Sequence, residues 1–259
     1  MSTRLKCSLF FRNFPTMPKH IGIVACSAEG AALCYRTLCQ EAPAFLGEHR
    51  HPEVSMHTYP LAKYMEHIRS SDWQGVAALM LSSVRKLATI GAQLAICPDN
   101  TIHQAFPLVI EASPIPWLHI AEVVAQEAKL RGFQRLAILG TKYLMTGPVY
   151  PSVLERYGIG WRIPEPADRE EIDRIIFSEL VNGIFLEKSR SYFNTVIQKM
   201  KDGGCDAAAL ACTEIPLIVD PADCPLPTLD STRLLAKAAL KEALKNELAE
   251  GGDEDNILL

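Results

Sequence analysis

The stretch Leu94–His103 reads Leu-Ala-Ile-Cys-Pro-Asp-Asn-Thr-Ile-His, and the stretch Ala207–Pro216 reads Ala-Ala-Ala-Leu-Ala-Cys-Thr-Glu-Ile-Pro. Each stretch opens with a short apolar run, which predicts a buried strand, and then changes to a polar cluster. In an open α/β sheet, ligands bind at the carboxyl ends of the strands. The two stretches therefore predict two strand ends, one in each half of the chain. We expect both to supply polar groups to one shared cleft.

Other apolar runs alternate with amphipathic stretches along most of the chain. The predicted strands are 20–26, 94–97, 136–141 and 207–211, and the predicted helices are 31–41, 72–90, 121–131, 150–157, 168–183 and 187–203. Strands that alternate with helices of this length form parallel sheets with helices on both faces. We therefore predict an α/β protein with two Rossmann-like parallel-sheet domains, related by an approximate two-fold axis, and an active site in the cleft between them.

The expected first domain comprises residues 19–112 and 226–245, and the expected second domain comprises residues 113–225. Asp230-Ser231-Thr232 predicts the start of a last helix, because these side chains cap helix N-termini well. Residues 1–18 and 246–259 are expected to be flexible ends, the second because it is acidic and contains glycine.

The composition excludes several classes of partner. The 259 residues are 48% hydrophobic and 22% charged, and their net charge is −4. A chain without a broad basic field is not expected to bind nucleic acid. No apolar run approaches the roughly 18 residues that a membrane span requires. We therefore expect a soluble, cytoplasmic protein whose partner is a small molecule.

Eight cysteines and seven histidines raise the question of disulfides and metals. The cysteines lack both the density of a disulfide scaffold and the Cys-x-x-Cys spacing of a metal site, and the histidines lack a ligand spacing. We expect reduced cysteines that mostly lie in the core, and no metal. No lysine-based pyridoxal site is identifiable, so no organic cofactor is expected either.

Two motifs resemble those of the aspartate/glutamate racemases. In that family the first motif is Cys-Asn-Thr with a histidine two residues beyond, and here Asp99 precedes Asn100-Thr101 in place of the cysteine. The second motif, Cys-Thr-Glu followed by an apolar residue and proline, is intact at 212–216. The resemblance covers about residues 19–245. It implies a pyridoxal-independent isomerase that racemises an amino acid, with an acidic amino acid as the default substrate, and we expect a homodimer.

Racemisation without a cofactor requires two proton-transfer groups that face each other across the substrate carbon. By position, the resemblance assigns these catalytic roles to Asp99 and Cys212. A thiol with a pKa of ~8.5 needs a lower value to act as a base at neutral pH. An aspartate with a pKa of ~3.9 needs burial to raise its value. We predict a two-base mechanism between these residues.

The substrate carboxylate also needs donors that hold it and stabilise the charge developing on it. The candidate substrate-binding residues are Asn100, Thr101, Thr213, Thr141, Ser27 and Lys188. The first three match the family motifs, and Thr141 ends a predicted strand. Ser27 begins a turn that presents backbone N–H groups before a helix. Lys188 is a candidate partner for a side-chain carboxylate of the substrate, although a charged helix cluster is usually a solvated face.

Structural interpretations apply to three further residues, and for Cys97 and His103 a functional alternative stays open. Cys97 lies two positions before Asp99 and faces the same side of an extended strand, so it is either a proton donor or a core thiol. His103 either orients its loop or contacts substrate, or it is simply a polar residue at a helix start. His119, near a predicted strand at 116–120, is expected to be a core histidine.

Two other functions stay open on the sequence alone. The chain could be a lyase, decarboxylase or cis–trans isomerase of a small carboxylic acid that relies on Cys212 without a second thiol. It could also be a non-catalytic sensor of a small acid. The intact Cys-Thr-Glu motif disfavours the sensor, because binding alone does not require a thiol at this position.

Overall fold

The structure, a computed structural model, describes residues 17–251 and the side chains of residues 17–245. The strands are β1 Ile21–Ala25, β2 Val54–Thr58, β3 Leu94–Ile96, β4 Arg135–Leu139, β5 Gly160–Arg162, β6 Ala207–Leu210 and β7 Thr228–Asp230. The helices are α1 Ala28–Glu41, α2 Pro43–Leu46, α3 Leu61–Arg69, α4 Trp73–Thr89, α5 Phe106–Ile110, α6 Ile120–Leu130, α7 Lys142–Met145, α8 Val149–Tyr157, α9 Pro166–Ser178, α10 Glu187–Asp202 and α11 Ser231–Gly251. Short 3-10 turns occupy Thr101–Ala105, Leu180–Asn182 and Ile215–Leu217.

The strands form two parallel sheets, which confirms the predicted α/β class. One sheet has the order β2-β1-β3 and the other has the order β5-β4-β6-β7. Both sheets are covered by helices on two faces, and this explains why the central strands are apolar apart from Arg135 at the exposed start of β4. In β6, Ala208 and Leu210 face one core while Ala207 and Ala209 face another.

Several elements differ from the sequence prediction. Strand β7 pairs with β6 in the second sheet, and the assignment of residues 226–245 to the first domain stays a prediction. The predicted strand at 116–120 is reduced to a single bridge between Ala95 and Trp117, and His119 directly precedes α6. The strands β2, β5 and β7, the helix α3 and the short helices α2, α5 and α7 were not predicted.

The last helix, α11, connects the two sheets. Its apolar face, which includes Leu235 and Leu240, packs in one core with Ile21 and Ile23 of β1. The helix runs to Gly251, beyond the end expected at residue 245. Residues 1–16 and 252–259, within the ends expected to be flexible, lie outside the described residues.

Among the described residues, no helix combines the length and the apolar character that crossing a membrane would require. The seven cysteines of this part of the chain are all free thiols, and five of them are buried. Their burial agrees with the prediction that the cysteines lie mostly in the core.

Candidate active site

A cavity lies where the carboxyl ends of strands from both sheets meet. Cys26 and Ser27 follow β1, Asp99 to Thr101 follow β3, Thr141 follows β4, and Ala211 to Glu214 follow β6. The cavity measures about 30 Å³, which is room for no more than a few water molecules. A larger ligand can enter only if the walls of the cavity move apart.

Asp99 is held in place by the turn that follows it. Its Oδ1 accepts a hydrogen bond from the Ile102 N–H at 3.1 Å, so the carboxylate caps the 3-10 turn Thr101–Ala105. Burial raises the pKa of the Asp99 carboxyl above its usual range, and the donors Ile102 N–H and Cys26 thiol oppose this rise. The nearby Glu214 carboxylate raises the pKa further. Asp99 is therefore a stronger base than an aspartate in water.

His103 positions the Asp99 loop without lining the cavity. Its Nδ1 lies 2.7 Å from the carbonyl oxygen of Asp99, so Nδ1 carries the proton and donates it. Its Nε2 accepts a hydrogen bond from the Ile120 N–H at 3.3 Å. Burial, assisted by His119, lowers the pKa of this ring well below its usual value. His103 is therefore a neutral ring that joins the Asp99 loop to the start of α6.

Cys212 lies on the other side of the cavity, beside a second carboxylate. Its thiol donates to Glu214 Oε2 at 3.0 Å, and the Thr213 hydroxyl donates to the same oxygen at 3.0 Å. Burial, together with the charges of Glu214 and Asp99, raises the pKa of the Cys212 thiol well above its usual value. Cys212 is therefore a protonated thiol at neutral pH, which makes it a proton donor rather than a resting base.

Asn100 has its side-chain groups engaged by the protein. Its Nδ2 donates to Ser231 Oγ at 3.0 Å, and its Oδ1 accepts from the Tyr150 hydroxyl at 2.8 Å. The Ser231 hydroxyl in turn donates to the Leu210 carbonyl at 2.9 Å, at the end of β6. This network fixes the end of β3 against the end of β6.

Two hydroxyl pairs also cross between the halves of the chain. The hydroxyls of Thr101 and Thr141 lie 2.9 Å apart, and those of Ser27 and Thr213 lie 3.4 Å apart. A Cβ at Gly30 would lie 2.1 Å from Thr213 Oγ1, so only glycine allows α1 to approach this closely. These contacts hold the cavity in a closed form.

The structure brings most of the predicted site residues to this cavity. They are Asp99, Cys212, Asn100, Thr101, Thr213, Thr141 and Ser27. Lys188 is not among them, because it lies exposed in the first turn of α10, where its charge acts on Glu171. Cys97 is fully buried and does not line the cavity, as expected of a core thiol.

Several cavity residues have no role in the sequence prediction. Cys26 is predicted only as a core thiol, and Glu214 is predicted only as part of the Cys-Thr-Glu motif, with no role of its own. The apolar lining residues are Leu61, Met65, Ile68, Ile176, Phe177 and Val181. They come from α3, α9 and the turn that follows α9, and no pattern in the sequence marks them. The position of Cys26 directly before Ser27, at the end of β1, was the one available signal.

No group of three His, Cys, Asp or Glu side chains is arranged to hold a metal ion within the described part of the chain. The polar groups of the cavity are instead two carboxylates, two thiols, hydroxyls and an amide. Such a set can bind the ammonium and carboxylate groups of a small molecule and exchange protons with it.

Comparisons with known proteins agree with the motifs. The family model for Asp/Glu/hydantoin racemases matches residues 21–239. The broad specificity amino-acid racemase RacX of Bacillus subtilis (strain 168) is 20% identical over 206 residues, which cover 80% of this chain and 88% of that protein.

Several solved structures are similar over most of the chain, and two of them illustrate this. A Yersinia pestis protein, provisionally described as an Asp/Glu racemase, has a TM-score of 0.79 and 32% identity over 87% of this chain and 99% of its own. An aspartate racemase homologue from Pyrococcus horikoshii OT3 has a TM-score of 0.75 and 26% identity, and the match covers 87% of this chain and 99% of that protein. The protein therefore belongs to the Asp/Glu/hydantoin racemase family.

Proposed function

We propose that this protein is a cofactor-independent amino-acid racemase that uses Asp99 and Cys212 as its two proton-transfer groups. The observation that carries the proposal is that these residues line one cavity from the ends of β3 and β6, in different sheets. Their raised pKa values support it further, because the rise strengthens the Asp99 carboxylate as a base and keeps the Cys212 thiol protonated as an acid.

In this mechanism the Asp99 carboxylate takes the α-proton from one face of the substrate. The Cys212 thiol delivers its proton to the opposite face, which inverts the carbon. Afterwards Asp99 is protonated and Cys212 is a thiolate, and this pair is competent for the reverse reaction. The backbone N–H of Thr213 and the other backbone amides after β3 and β6 are the proposed donors to the substrate carboxylate, because the Thr213 hydroxyl already donates to Glu214. The negative charge of that carboxylate grows during proton removal.

The domain division and the assembly remain parts of the proposal. We propose two α/β domains, built around the β2-β1-β3 sheet and the β5-β4-β6-β7 sheet, in a homodimer. The small volume of the cavity supports an opening motion of the two domains that admits substrate. The activity of RacX supports an amino acid as the substrate class.

The test is incubation of the protein with each enantiomer of an amino acid in deuterated water. We expect exchange of the α-proton together with inversion for the wild-type protein. Asp99→Asn should remove exchange from one enantiomer because the amide keeps the shape and loses the basicity, and Cys212→Ser should remove it from the other. Exchange can be followed by NMR and inversion by chiral chromatography.

Asp99→Cys is the informative companion, because it restores the residue that the family motif carries. We expect it to keep or raise racemisation, since a thiol then faces a thiol. Full racemisation by Asp99→Asn would exclude Asp99 as a base. Exchange or cleavage that retains configuration would instead indicate a one-sided enzyme, and no exchange with any substrate would favour a sensor.

A further inference from the structure

The cavity has a polar end and an apolar end. Strand ends supply the polar groups, while α3, α9 and the turn after α9 supply the apolar side chains. Among the residues that the structure describes, no lysine, arginine or histidine lines the cavity, and the two ionisable carboxyl groups that do, Asp99 and Glu214, are both acidic. The cation Lys142, on α7, is paired with Glu170 and Asp173 outside the cavity.

One acceptor at the polar end is unused. Glu214 is 2% exposed, and its Oε2 accepts from Cys212 and Thr213. Its Oε1 is buried and has no hydrogen-bond partner among the described residues. A buried carboxylate oxygen without a partner is costly, so this atom is ready to accept a hydrogen bond from a bound cationic group.

We propose, on the basis of the racemase function above, that the substrate is an α-amino acid with an uncharged, apolar side chain. Glu214 Oε1 binds its ammonium group. The side chain packs against the apolar end, which Leu61, Met65 and Phe177 help to form.

The argument against an acidic side chain is electrostatic. A second substrate carboxylate would be buried near two protein carboxylates with no cation among the lining residues to pair with it. An uncompensated buried charge is strongly unfavourable, whereas an apolar side chain gains free energy by leaving water for this surface. The same arrangement favours the ammonium group of the substrate, which the two carboxylates attract.

The first experiment compares leucine and methionine with aspartate and glutamate, as separate enantiomers. Binding is measured by calorimetry, and α-proton exchange is measured by NMR in deuterated water. We expect the apolar amino acids to have a lower Kd and a higher kcat/KM by more than about a hundredfold, as an unpaired buried charge implies. Tighter binding or faster exchange of the acidic amino acids would overturn the proposal.

These two measurements separate this inference from the proposed function. Binding of leucine without exchange would support the apolar substrate class and reject the racemase mechanism. Exchange of glutamate but not of leucine would support the racemase and reject the apolar class. A protein that binds none of the four amino acids would contradict both.

Variants test each end of the cavity separately. Glu214→Gln should weaken the binding of leucine by more than about tenfold but hardly affect 2-hydroxy-4-methylpentanoate, which lacks the ammonium group. Equal losses for both ligands would exclude Glu214 as the ammonium partner.

Val181→Lys adds a cation at the partly exposed rim of the apolar end and should shift the preference from leucine towards glutamate. The matched control is Leu130→Lys, at a residue that is 69% exposed on α6 and outside the cavity, and it should leave the preference unchanged. If Val181→Lys had an unchanged circular dichroism spectrum and still preferred leucine over glutamate to the same degree, the apolar end would not be where the substrate side chain binds.

Discussion

Each half of the chain contributes a thiol beside a carboxylate to the same cavity. Cys212 donates to Glu214 in the second half, and in the first half the Cys26 thiol interacts with the Asp99 carboxylate as a donor. We therefore expect Cys26 to be a positioning residue that acts through Asp99.

Cys26→Ala should raise the pKa of Asp99, because it removes a donor that stabilises the charged carboxylate. Asp99 must be ionised to take a proton, so activity falls as the pH drops through its pKa. The acidic limb of kcat/KM should therefore move to higher pH in the variant, while kcat on the plateau changes less. The measurement is kcat/KM against pH for one enantiomer.

The control for this experiment is Cys34→Ala. Cys34 is also a fully buried thiol, but it lies in the core behind β1 and does not line the cavity. Its substitution should leave the acidic limb in place. An acidic limb that is the same in wild type and in Cys26→Ala would show that Cys26 does not act on Asp99.

The motifs were sufficient to predict most of the candidate site residues. They could not predict which way a side chain points in the folded protein. Lys188 follows the cavity residue Val181 by only a few positions in the sequence, but in the first turn of α10 its side chain is exposed to solvent. Glu214 stands in the motif, yet only the fold shows that its Oε1 is left without a partner. The spacing of residues in the sequence gives no information about which polar groups of a motif find hydrogen-bond partners within the protein itself.

At the scale of elements, the turn after β3 depends on two neutral histidines. His103 links the Asp99 carbonyl to the N–H of Ile120, and its ring contacts His119 edge to face at 4.7 Å between centroids. Burial lowers the pKa of His119 to about 4, with a contribution from Arg156. A charge on either ring would therefore disfavour this packing.

This packing predicts an acid-sensitive fold. In the unfolded chain the histidines titrate near pH ~6.5, whereas in the folded protein they stay neutral to lower pH. The unfolded state therefore binds more protons below that pH, and stability falls as the pH drops from 6.5 towards 4. His119→Gln, which is neutral throughout, should reduce this fall in the free energy of unfolding, measured with urea.

His49→Asn serves as the comparison, because the His49 side chain is exposed and asparagine tolerates its positive φ of 62°. It should lose as much stability between pH 6.5 and 4 as the wild type. If His119→Gln showed that same full loss, the titration of His119 would not explain the acid sensitivity.

Long elements were predictable from the sequence, and short edge elements were not. Helix α4 was predicted within one residue of its ends, because its apolar residues follow a helical period and Asp72 caps it. Strand β2 was missed because it lies at a sheet edge, with the partly exposed sequence Val-Ser-Met-His-Thr. Strands β5 and β7 have three residues each, too few for alternation to be recognised.

At the scale of the whole molecule, a few small contacts keep the cavity closed. Helix α1 of the first half approaches the Cys-Thr-Glu turn of the second half at Gly30, where no side chain fits. The Ser27–Thr213 and Thr101–Thr141 hydroxyl pairs lie in the same region. Because the closed cavity is too small for an amino acid, the proposed racemase function requires a form in which the walls lie farther apart, both to admit the substrate and to hold it during proton transfer.

Gly30→Ala tests whether this close approach matters for activity. The added Cβ would lie 2.1 Å from Thr213 Oγ1 and 2.5 Å from its Cβ, so the two halves must separate slightly. We expect the free energy of unfolding to fall by about 1–3 kcal/mol, as overpacking does elsewhere. We expect kcat/KM to fall by roughly a hundredfold, because the two proton-transfer groups no longer reach the substrate in the required geometry.

Gly160→Ala is the matched control, because a Cβ at Gly160 would meet its nearest atom only at 3.5 Å, an ordinary contact at the start of β5. Urea unfolding and the α-proton exchange rate are measured for both variants. A Gly30→Ala protein that lost stability but kept full activity would show that closure at Gly30 supports only the fold. Loss of activity well beyond the loss of stability would show that this glycine sets the separation of Asp99 and Cys212.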